Sequence, residues 1–163
     1  MAKQPDYTHV LSLIEQCQDI GKVTTFYKNA HKRGVDIVAK FAHRRLKSFI
    51  PAVEDQGLEK DFWVMFSAYE DILLSYDRPT EKLNLARELM LNEGGIAALD
   101  HWVSQKSQVW AFEFLMTTQR EHLTAEYLVL KYQADFQSAI VEQAQKRIES
   151  LEGLKNNQKL KAA

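Results

Sequence analysis

One cysteine, Cys17, three prolines and six glycines are few for 163 residues. A lone cysteine excludes an intramolecular disulfide and gives no reason to place the chain in an oxidising compartment. So few breakers also exclude a disordered chain or a turn-rich all-β one. Long apolar runs are missing as well. The most apolar stretch, Val109 to Met116, is interrupted by Glu113 and falls far short of the roughly 20 residues a membrane span requires. The first residues, Met1-Ala2-Lys3-Gln4-Pro5-Asp6, are polar where a signal peptide carries an apolar segment. These absences predict a cytoplasmic protein that does not enter a membrane.

The recognisable chemistry of sites is equally sparse. His9, His31, His43, His101 and His122 include no pair three or four residues apart, so no helix face offers two imidazoles to a metal, and no HExxH or ExxH pattern is present. There is no nucleophile elbow, phosphate-binding glycine loop or dinucleotide fingerprint. Cys17 falls on an apolar stripe, where a thiol packs as a small hydrophobe. Asp100-His101 with Ser104, and Glu121-His122, place acid and imidazole on adjacent residues about 100° apart around a helix, a poor geometry for a triad. The expectation is therefore no catalytic residues, no metal and no cofactor, with an enzyme of unfamiliar mechanism as one alternative.

What is present is helical periodicity. Tyr7, Val10, Leu11, Ile14, Cys17 and Ile20 repeat at three and four residues, with Gly21 placed to end the helix. A second helical region spans about Lys22 to Ile50, with a break near Gly34 and a stop before Pro51; Val38, Ala42, Leu46 and Phe49 share one face. Leu58, Phe62, Met65, Phe66, Tyr69, Ile72, Leu73 and Tyr76 form the cleanest amphipathic pattern. Thr80 is placed to cap a helix that Gly94-Gly95 ends, and shorter helices follow over Ile96–Val103 and Val109–Met116. Thr124 opens a last helical stretch that Gly153 closes, either as one helix or as two. Tyr127-Leu128-Val129-Leu130 alone has ambiguous strand propensity. The spacing thus predicts an all-α protein: a compact bundle or orthogonal array of six to eight helices without a sheet, as a single domain over 1–155 with a disordered tail over 156–163.

Charge is unevenly distributed. Between Lys22 and Lys47, eight basic residues face the single acid Asp36; between Glu54 and Glu81, eight acids face two bases. On a continuous helix Arg33, Lys40, Arg44 and Lys47 fall in one narrow sector opposite the apolar stripe, with Lys32 and Arg45 beside them. Such a row is a solvated face, a partner for the acidic segment that follows it, or a docking surface for an anionic macromolecule. A pI near 6.5 argues against a dedicated nucleic-acid binder. The expected function is a non-catalytic interaction module whose Lys32, Arg33, Lys40, Arg44, Arg45 and Lys47 bind a protein partner, with self-association open to it and a nucleic-acid-binding subunit as the other alternative. Glu70, beside the aromatic face, is placed to pair with a base of the second helical region, and Trp63, turned off that face, would mark a surface if exposed.

Overall fold

The computed structural model describes residues 5–105 and 110–162. Among them are nine α-helices, two short 3-10 turns and no strand. The all-α expectation holds. The count exceeds six to eight because both the second helical region, at Gly34, and the last stretch, at the 3-10 turn Gln133–Asp135, divide in two. Two compact units divide the chain, Met1–Ala52 and Val53–Ala163. No helix among the described residues is long and apolar enough to cross a membrane.

The first unit holds α1 (Thr8–Gln16), α2 (Ile20–Lys32) and α3 (Asp36–Lys47). Gly21 does not end α1. The helix stops at Gln16 because Cys17 turns to extended backbone, and Asp19 then opens α2 by accepting a hydrogen bond from the Lys22 N–H at 3.0 Å. At the end of α2, Gly34 adopts φ 68°, the Gly34 N–H donates to the His31 carbonyl and the Val35 N–H donates to that of Ala30. This is a Schellman turn with glycine in the left-handed position. Packing of α3 against α1 and α2 buries Ile14, Val23, Ala30, Val38, Ala39, Ala42 and Leu46, a core in which three of seven members are alanine. All five aromatic residues of this unit, Tyr7, Phe26, Tyr27, Phe41 and Phe49, stay only half-buried.

The second unit holds α4 (Leu58–Ser75), α5 (Glu81–Glu93), α6 (Gly95–Ser104), α7 (Trp110–Thr117), α8 (Ala125–Lys131) and α9 (Ser138–Ala162). Its centre is α4, which packs against α6, α7 and α8. Phe62, Phe66 and Tyr69 of that helix are fully buried. Gly94 ends α5 at φ 92°, a conformation that only glycine takes up readily, and Thr124 caps α8 through its hydroxyl, which accepts from the Tyr127 N–H. The segment Tyr127–Leu130 belongs to α8. A helix over Thr124–Leu151 is interrupted by the 3-10 turn Gln133–Asp135, and α9 runs through Gly153 as far as Ala162. Val109 and most of the polar stretch before it lie outside the described residues.

Candidate partner-binding surface

The six basic residues singled out by the sequence have different surroundings. Gly34 separates Arg33, at the end of α2, from Lys40, Arg44 and Lys47, on α3, so the row is not carried by one helix. Lys32, Arg33, Lys40 and Arg44 are exposed, and their side chains make no hydrogen bond or ion pair among the described residues. Lys47 is half-buried and already engaged.

Arg45 is tied into the unit. Its Nε and Nη2 both donate to the Cys17 carbonyl, at 3.1 and 2.9 Å, and Nη1 donates to the Ser48 hydroxyl. The guanidinium also lies 4.7 Å from the centre of the Phe49 ring. Arg45 therefore caps the carbonyl end of α1 from α3 and locks those helices together. It has little freedom left for a partner.

Part of the basic bias follows from helix electrostatics. Lys32 and His31 occupy the last turn of α2; Arg44, Arg45 and Lys47 occupy the last turn of α3, where the partial negative charge of the carbonyl end favours cations. Lys40 is outside that zone. The effect is also local, so it leaves the balance of the whole unit unexplained: nine bases against four acids over residues 1–52, and twelve bases against eighteen acids over 53–163.

A groove opens beside Arg33. Tyr7, Val10, Phe26, Ala30, Val35 and Val38 line it together with Asn29 and Arg33, enclosing about 260 Å³ between α1, α2 and α3. Arg33 is the single charged side chain of that lining. Lys40 and Arg44 lie roughly 200–240° around α3 from Val38, so they face away from the groove. The cations form two sets, Lys32 and Arg33 at the end of α2, of which Arg33 lines the groove, and Lys40 and Arg44 on the far side of α3.

The second unit holds the other notable polar groups. Glu70 is buried and pairs at 2.8 Å with Arg87 of α5, whose guanidinium also lies 4.8 Å from the centre of the Phe66 ring. Burial lowers the Arg87 pKa, against the opposing influence of the Glu70 charge. Glu126 of α8 pairs at 3.0 Å with Arg147 of α9, which also donates to the Gln105 carbonyl. Burial pushes the Glu126 carboxyl up, although its hydrogen bonds, including that from Arg147, oppose the shift. Trp63 is not a surface marker: it is 3% exposed and meets Phe62 and Phe66 edge-on. The sequence reading also missed Asp61, which accepts from Lys131 Nζ at 2.6 Å and from the Tyr132 hydroxyl at 2.7 Å. That contact spans some seventy residues and leaves no local pattern.

No three or more His, Cys, Asp or Glu residues among those described are grouped to hold a metal ion. The Ser104 hydroxyl donates to the backbone carbonyl of His101, and the Cys17 thiol to that of Asp19. Among the described residues neither nucleophile is hydrogen-bonded to a base. Comparison of the chain with protein-family models, with curated proteins and with solved structures yields no match.

Proposed function

We propose that the chain is a non-catalytic helical interaction module whose first unit binds an acidic protein partner. The observation that carries this reading is the set of exposed cations without partners, Lys32, Arg33, Lys40 and Arg44, on a unit with a strong excess of bases. The thin core and half-buried aromatics support it, because they leave apolar surface next to positive charge. A partner with carboxylates beside an apolar side chain fits that combination: guanidinium groups take up the carboxylates and the groove takes the apolar group.

The test is the affinity of a synthetic helical peptide with Leu and Phe along one face and Glu along the other, measured by fluorescence polarisation. One variant carries Lys32→Glu with Arg33→Glu, and a second Lys40→Glu with Arg44→Glu. At least one should weaken binding more than tenfold, with a steep loss of affinity as salt rises, while the melting temperature falls by only a few degrees. Each reversed charge near a helix end should cost about 0.3–1 kcal/mol. Unchanged affinity in both variants would overturn the reading. Tighter binding of a single-stranded oligonucleotide than of the peptide would favour a nucleic-acid partner.

A further inference from the structure

Two residues outside glycine have positive φ among the described residues, Asp77 at 51° and Gln119 at 60°. Each occupies the left-handed position after a helix. The Arg78 N–H donates to the Leu73 carbonyl and the Asp77 N–H to that of Leu74, closing a full Schellman turn on α4; the Arg120 N–H donates to the Leu115 carbonyl at the end of α7. Glycine is the usual occupant there, and a glutamine in this conformation is strained. In both cases the next residue is an arginine.

Both arginines reach one aromatic cluster. Tyr76, Trp110 and Phe114 touch one another with ring centres 5.2–5.5 Å apart. The Arg78 guanidinium lies 4.7 Å from the centre of the Trp110 ring and that of Arg120 lies 5.5 Å from the centre of the Phe114 ring. Arg120 also donates through Nε to the Thr118 hydroxyl, and neither arginine has an ion-pair partner among the described residues. Tyr76 is 54% exposed although two rings hold it in place.

We propose that Tyr76, Trp110, Phe114, Arg78 and Arg120 form a binding site for a phosphate monoester carried on a planar aromatic group. A guanidinium laid on a ring is fixed in orientation and keeps N–H donors for an oxyanion. Two such groups match the near-double negative charge of a phosphate monoester better than the single charge of a carboxylate. The exposed, pre-positioned Tyr76 ring gives the aromatic group a stacking surface. The acidic balance of residues 53–163 opposes a long polyanion, so the fitting ligand is small. This site is independent of the basic surface of the first unit.

Tryptophan fluorescence reads the site directly, because Trp63 and Trp102 are 3% and 8% exposed and Trp110 is more open. Adenosine 5′-monophosphate and O-phosphotyrosine serve as probes for a nucleotide or a phosphoaryl source, with adenosine and inorganic phosphate as controls. At least one probe should quench saturably and bind at least tenfold more tightly than either control. Arg78→Gln and Arg120→Gln should each weaken it about tenfold, as expected for loss of a charge-assisted contact. Tyr76→Leu should weaken the probe and leave inorganic phosphate unaffected. Arg78→Lys, which keeps the charge, should still lose affinity because the stacked fork is gone. Thermal melts of each variant verify folding. Equal binding of probe and inorganic phosphate, no saturable quenching by either probe, or full affinity in both Gln variants would overturn the proposal.

Discussion

Arg44 and Arg45 are neighbours in sequence with opposite surroundings: one is exposed and unpaired, the other clasps the Cys17 carbonyl from α3. Helical periodicity separates their directions but is blind to a carbonyl 28 residues away, so the sequence placed both on the docking surface. Arg45→Ala should cost about 1.5 kcal/mol or more in urea unfolding, since it removes charge-assisted hydrogen bonds from a half-buried carbonyl. Arg44→Ala should stay within about 0.5 kcal/mol of the wild type. The Asp61 contact sets a second test. Burial pushes this carboxyl up, but hydrogen bonds from Lys131 and Tyr132 and the Lys131 charge outweigh it and hold its pKa below the ordinary 3.8. A lowered pKa in the folded protein means that the stabilisation is present above the unfolded value and is lost as pH falls through the folded one. Asp61→Asn should therefore melt below the wild type at neutral pH, and the two melting curves should converge in strong acid.

At the scale of elements, helix existence and type were legible because the apolar spacing of α4 or α6 admits one period. Thr124 marked the start of α8, but the C-terminal ends of helices were legible only where a glycine ended the element by conformation. Gly34 and Gly94 do so at positive φ, whereas Gly21 lies inside α2 and Gly153 inside α9. The turns at Asp77 and Gln119 have no glycine to announce them, which hid the arginine–aromatic cluster from the sequence. Gln119→Gly should stabilise the protein by about 1 kcal/mol by relieving the left-handed backbone, and Asp77→Gly by less, since aspartate tolerates that region better. Thermal or urea unfolding measures both, and a loss of stability would show that no strain is stored there. Phe66→Ala should cost about 3–5 kcal/mol, because α4 buries this ring completely between Trp63 and Arg87.

For the whole chain, the boundary between the compact units nearly coincides with the reversal of charge and with a change in how aromatics are used. The first unit keeps every ring partly exposed and carries an excess of bases; the second buries Phe62, Trp63, Phe66, Tyr69, Trp102 and Phe112 and is acidic. The charge segregation was readable from composition along the chain. Which cations remain open was not, because that depends on where Gly34 breaks the helix and on what Arg45 and Lys47 touch. The most direct test of the proposed interaction module is an amide chemical-shift map of the full chain titrated with the acidic amphipathic peptide. The account predicts saturable shifts concentrated in residues 7–49, at Val10, Phe26 and Val38 around the groove, at Arg33, or at Lys40 and Arg44 on the far side of α3. Shifts confined to residues beyond 52, or the same map with a scrambled peptide of equal charge and composition, would contradict it.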